Sequence, residues 1–97
     1  QVMTEPLAFG PGMPAAEARR LLTAPSAPVV EDGRLVGVVH RRALDRADRG
    51  SVVGSVMDDP IAAFDDAGLE VLIDLPAEVD PVPVVDHAGR LRGVIAR

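Results

Sequence analysis

The 97 residues of this chain suit one small domain, or two very small units that share a core. A net charge of −5 argues against a basic face for nucleic acid, and with Phe9 and Phe64 as the whole aromatic content there is no platform for stacking bases. The absence of cysteine excludes disulfides and thiolate metal sites.

No apolar run is long enough to span a membrane, and no secretory leader pattern opens the chain. The first residue is Gln1, not Met, as expected of a fragment of something larger or of a processed chain.

In chain order, Leu7-Ala8-Phe9 reads as a short strand. Pro14 suits the first position of a helix, and Ala15, Ala18, Leu21 and Leu22 then fall on one helical face before Pro25. The stretch from Ala27 to Val39 reads as a β-hairpin. Its strands are Pro28-Val29-Val30 and Leu35–Val39, and its turn is Glu31-Asp32-Gly33, with the glycine free to take positive φ. A short helix is expected from Arg41 to Ala47, and Asp48 to Ser55 reads as a link.

A second strand is expected at Ile61-Ala62-Ala63-Phe64. Asp65 or Asp66 can then cap a helix whose apolar positions are Leu69, Leu72, Ile73 and Leu75; Gly68 lowers its propensity and Pro76 stands at its end. A last hairpin pairs Pro83-Val84-Val85 with Leu91–Ile95 across Asp86-His87-Ala88-Gly89.

The second half repeats the first. Val2-Met3-Thr4-Glu5-Pro6 matches Val56-Met57-Asp58-Asp59-Pro60, Pro28-Val29-Val30 matches Pro83-Val84-Val85, and Gly33-Arg34-Leu35 matches Gly89-Arg90-Leu91. Gly37-Val38-Val39 likewise matches Gly93-Val94-Ile95, and the offset drifts by two residues along the chain. Such duplication marks one structural unit written twice. A unit of about 45 residues is near the size below which a lone core rarely holds. Two copies packed sheet to sheet can close one core, and a cleft forms at their junction.

The opening, helix and hairpin, and their duplication, resemble a tandem pair of CBS domains, a Bateman module. The resemblance covers essentially the whole chain, with residues 1–50 as the first repeat and 51–97 as the second. It implies an α/β (α+β) fold, with a small sheet and flanking helices in each repeat and pseudo-two-fold packing. It also implies an adenosine-containing regulatory ligand (AMP, ADP, ATP or S-adenosylmethionine) and a homodimer of modules. The host would be an attached enzyme or transporter, and the location the cytoplasm, free or attached to a membrane transporter complex. The compact tail is similar to that of glycine betaine/proline-type transporter ATPases, where ionic strength is a further candidate signal.

Nucleotide-binding members of that family end the second hairpin strand with a hydroxyl residue and, three positions on, a carboxylate for the ribose. Here His40 and Ala43 occupy those positions in the first repeat, and Ala96 takes the hydroxyl position in the second. The resemblance places ligand phosphates at His40, Arg41 or Arg42 and an adenine against Leu7, Pro28, Ile61 and Pro83.

Each residue also has a plainer reading. His40 is then a half-exposed histidine at a strand end, and His87 a solvated turn residue. Arg41, Arg42, Arg46 and Arg49 form a charged helix face paired with Asp45 and Asp48. Asp58-Asp59 and Asp65-Asp66 serve turns and caps, so no metal is expected. Met3 and Met57 are packing residues. No nucleophile–base pair and no phosphate-cradling loop is present, so no catalysis is expected. Two functions remain open: a ligand-sensing regulatory pair, and a ligand-free dimerisation module.

Overall fold

Both hairpins and the two helices expected in the first repeat are present with small shifts in a computed structural model that describes residues 3–4, 7–66 and 75–96. The elements are β1 (Met3–Thr4), α1 (Ala15–Leu21), β2 (Ser26–Glu31), β3 (Arg34–His40), α2 (Arg41–Arg46), α3 (Val53–Val56), β4 (Ala63–Phe64), β5 (Val82–Val85) and β6 (Leu91–Ile95). The architecture is α+β. The expected helix at Leu69, Leu72 and Ile73 lies outside the described residues. Among those described, no helix is long and apolar enough to cross a membrane.

Each hairpin is antiparallel, with the same irregularity in the same place. Val29 pairs with Gly37 and Val84 with Gly93, and the register shifts after Val29 and after Val84. The first turn runs through Asp32 (φ 54°) and Gly33 (φ 81°), two left-handed residues that match the twist of the flanking strands. In the second, Gly89 (φ 84°) takes that conformation, and the Asp86 carboxylate accepts from the backbone N–H of Ala88 and Arg90 at 2.9 and 3.0 Å. Those bonds, chiefly the one from Arg90, lower the Asp86 pKa below its ordinary 3.8.

The two repeats trade their first residues. Thr4 of β1 pairs with Val94 on β6, at the edge of a sheet ordered β1-β6-β5-β4. Its counterpart Asp58 pairs with Val38 on β3, with reciprocal backbone bonds of 2.8 and 3.1 Å. The opposite edges match too: Phe9 lies parallel to Val29, as Ala63 does to Val84. At the hairpin tips the Leu35 N–H donates to the Gly89 carbonyl and the Leu91 N–H to the Gly33 carbonyl, both at 3.0 Å. These bonds are exact counterparts under the repeat, so the duplication read in the sequence is a pseudo-two-fold in space.

One buried cluster joins Phe9, Ala15, Ala18, Leu22, Val29, Val39 and Leu44 with Val53 from the second half of the chain. Ser26–Val29 and Val82–Val85 are buried without alternation, as expected of strands covered on both faces.

Several sequence expectations need correction. Pro14 is extended (ψ 134°) and stands just before the helix rather than at its first position. Leu21 is exposed, and Leu22 carries that end of the apolar face. Only Phe9 of Leu7–Phe9 pairs with a strand, and the second copy's strand shortens to Ala63–Phe64. The supposed link contains α3, four residues that bring Val53 into the core. The helix after β3 stops at Arg46, and Asp45 pairs with Arg19 at 3.0 Å rather than with an arginine of its own helix.

His87 is exposed yet partnered. Its ring stacks on Phe64 with centroids 4.5 Å apart, and its Nε2 lies 2.9 Å from the Asp66 carboxylate. That hydrogen bond raises the His87 pKa above its ordinary 6.5 and lowers Asp66 below its ordinary 3.8. A raised histidine makes the pair's stabilisation complete below pH 6.5, and the gain is lost as pH rises through the folded-state value. A lowered carboxylate makes it complete above pH 3.8, lost as pH falls through the folded-state value. His87→Ala is therefore expected to lower Tm most between those limits and less at alkaline pH, as thermal unfolding of both proteins across pH 4 to 9 would read.

Close approach at the exchange gives a second expectation. A Cβ on Gly37 would stand 2.6 Å from Met57 Sδ and 2.7 Å from the Asp58 carbonyl oxygen, whereas one on Gly10 would meet nothing within 4 Å. Gly37→Ala should destabilise by about 1–3 kcal/mol through overpacking. Gly10→Ala should leave Tm nearly unchanged. A calorimetric scan of the two variants checks this.

Candidate functional site

Helix α1 ends at Leu21 with Leu22 as its C-cap, and the chain turns through Thr23, Ala24 and Pro25 into β2. That turn is held from the other side by Arg41, the first residue of α2. Its backbone N–H donates to the Pro25 carbonyl at 2.9 Å, and its guanidinium donates to the Leu22 carbonyl. Carbonyls at a helix C-terminus lack intrahelical partners, and a guanidinium is well placed to satisfy one. Arg19–Asp45 ties α1 to α2 a turn further on.

Between this turn and α2 opens a groove of about 780 Å³. The first repeat supplies Thr23, Ala24 and Pro25 on one wall and His40, Arg41, Arg42, Asp45 and Arg46 on the other. The second repeat supplies Glu78. Arg41 and Asp45 are already engaged. The His40 side chain is 12% exposed, and its Nε2 lies 3.4 Å from the Asp58 carboxylate, across the exchange between repeats. Among the described residues Arg42, Arg46 and Glu78 have no ion-pair partner, and they are the groove's free charges. Two unpaired guanidinium groups offer forked donors to a phosphate or carboxylate.

A second, smaller cavity of about 280 Å³ shares Thr23 and Ala24 with the groove. Its lining is mainly apolar and comes from both repeats: Leu7, Leu22 and Ala27 from the first, Pro81, Val94 and Ala96 from the second. Ser26 and Asp80 floor it. The Ser26 N–H donates to the Asp80 carbonyl at 3.1 Å, and the Asp80 N–H donates to Ser26 Oγ at 2.9 Å. This two-way bond seals the seam and satisfies the buried Ser26 hydroxyl, which an apolar setting otherwise penalises.

The residues singled out in the sequence thus fall into three places. His40, Arg41 and Arg42 line the groove, and Leu7 and Ala96 line the smaller cavity. Pro28 and Pro83 are fully buried, and Ile61 is half-buried; none of the three lines either space. Sequence reading missed Thr23, Arg46 as a groove residue, Ser26 with Asp80, and Glu78. A signal for one pair was present. Thr23 and Glu78 each stand five residues before the proline of their Pro-Val-Val strand, so the repeat makes them counterparts.

Comparisons with known proteins bear on the family and the fold. A family model described as "CBS domain" matches residues 1–50. An inosine-5′-monophosphate dehydrogenase of Thermoplasma acidophilum is 33% identical over 93 residues, 90% of this chain, and the match spans only 19% of that protein. The cytosolic domain of the Mg²⁺ channel MgtE, solved with ATP, is similar over 98% of this chain and 44% of its own, with 32% identity and a TM-score of 0.82. CBSX2 of Arabidopsis thaliana, solved with AMP, has a TM-score of 0.82 and 29% identity, covering 98% of this chain and 86% of its own.

Proposed function

The chain belongs to the CBS domain family, and from that premise we propose that it is a regulatory CBS pair that senses an adenosine-containing ligand and tunes an attached enzyme or transporter. In this reading residues 1–50 and 51–97 are the two repeats, and the module works in the cytoplasm as a homodimer. The carrying observation is the groove at the repeat junction with the free guanidinium groups of Arg42 and Arg46. Phosphates sit against them, near His40. The adenine takes the apolar cavity between Leu7 and Ala96, while Pro28 and Pro83 act in packing.

Regulation is by differential affinity. A ligand shifts the module only as far as it prefers one arrangement of the repeats over another. The seam offers such an element: groove and cavity both draw walls from both repeats, so occupying either bears on their relative placement.

A second reading is favoured by how the site's groups are spent. Arg41 is committed to the Leu22 carbonyl, His40 faces Asp58, and Ala43 and Ala96 bring no polar group. On that reading the pair is a ligand-free packing and dimerisation module.

Thermal unfolding with AMP, ATP and S-adenosylmethionine separates the two. Ligand at about 100 times its Kd adds about 2.7 kcal/mol. For a domain of this size that raises Tm by on the order of ten degrees. Arg42→Ala and Arg46→Ala should each shrink the shift given by ATP. No shift with any of the three leaves the dimerisation reading standing.

A further inference from the structure

Glu78 belongs to the second repeat, yet its side chain lines a groove whose other walls come from the first. It is exposed, and no hydrogen bond or ion pair among the described residues engages it. The groove's other carboxylate, Asp45, is occupied by Arg19 at 3.0 Å. At position 43, two residues before Asp45 on α2, stands an alanine, whose methyl group accepts nothing.

We propose that Glu78 reads the ribose hydroxyls of a nucleoside phosphate held in this groove, reaching it from the opposite repeat. The inference rests on the nucleotide reading given above. Charge logic supports it. A free carboxylate in the same groove as Arg42 and Arg46 repels a bare anion and so weakens its binding. The same carboxylate strengthens binding only when the ligand brings O–H or N–H donors along with its phosphates. The groove therefore selects a molecule with an anionic part for copy 1 and a donor part for copy 2. A vicinal diol on a phosphorylated sugar has that pattern. Such a ligand bonds to both repeats at once, which ties recognition to their relative placement.

The test is calorimetric titration of the whole chain and of Glu78→Ala with three probes: ATP, 2′,3′-dideoxy-ATP and inorganic tripolyphosphate. Glu78 is exposed, so the variant is expected to fold, and circular dichroism checks that it does. The wild-type chain should bind ATP about tenfold more tightly than the dideoxy analogue, the scale of charge-assisted hydrogen bonds. Glu78→Ala should erase that preference and bind tripolyphosphate at least as tightly as the wild type. Glu78→Gln, which keeps a neutral acceptor, should fall between. A full preference for ATP retained in Glu78→Ala overturns the role of Glu78 and leaves the nucleotide reading intact. Equal wild-type binding of ATP and its dideoxy analogue overturns it as well. Failure of the wild type to bind any of the three overturns both.

Discussion

Val38 gives both its N–H and its carbonyl to Asp58, and at the mirrored place Val94 pairs with Thr4. Each repeat thus completes its hairpin sheet with the opening residues of the other. The hydrogen bonds at the hairpin tips and the Ser26–Asp80 pair repeat the pattern further along the seam. A unit of about 45 residues has too little interior to offset its conformational entropy alone. Exchange of the edges removes the difficulty by making the core of one repeat depend on the backbone of the other. Buried backbone groups at a sheet edge need partners, and here the partners come from across the seam.

The same constraint sets where a site can be. Ser26–Val29 and Val82–Val85 are buried without alternation, so little of either inner strand faces open space. Space opens beside the Leu22–Pro25 turn, the end of β3 and the segment before β5. These places carry groups from both repeats because the seam runs through them. Arg41 is spent on holding the turn, and this leaves the outer charges Arg42, Arg46 and Glu78 to meet a partner. On the proposed reading, structural and functional demands divide neighbouring residues on one short helix.

Much of the fold was legible because local chemistry and the repeat agreed. Gly33 and Gly89 announce turns, Pro-Val-Val announces buried strands, and duplication fixes the pairing of equivalents. The exchanged β1 and the Asp58 bridge were not legible, since two paired residues carry no periodicity and their partners lie far off in sequence. Helix α3 failed for a similar reason: Val53-Gly54-Ser55-Val56 has low helix propensity and is made helical by Val53 entering the core. For the site, His40, Arg41 and Arg42 followed from position after the second hairpin strand. Glu78 did not, because nothing local marks a residue whose relevance depends on packing against another repeat. Pro28 and Pro83, expected as walls of the cleft, are fully buried side chains on β2 and β5.

Interdependence of the repeats is the central claim, and native-state hydrogen exchange tests it most directly. The amides of Val38 and Val39 in the first hairpin should exchange through the same opening as those of Val84 and Val94 in the second, at a free energy equal to that of global unfolding. One hairpin opening at a distinctly lower free energy, while the other stayed protected, would contradict a shared core.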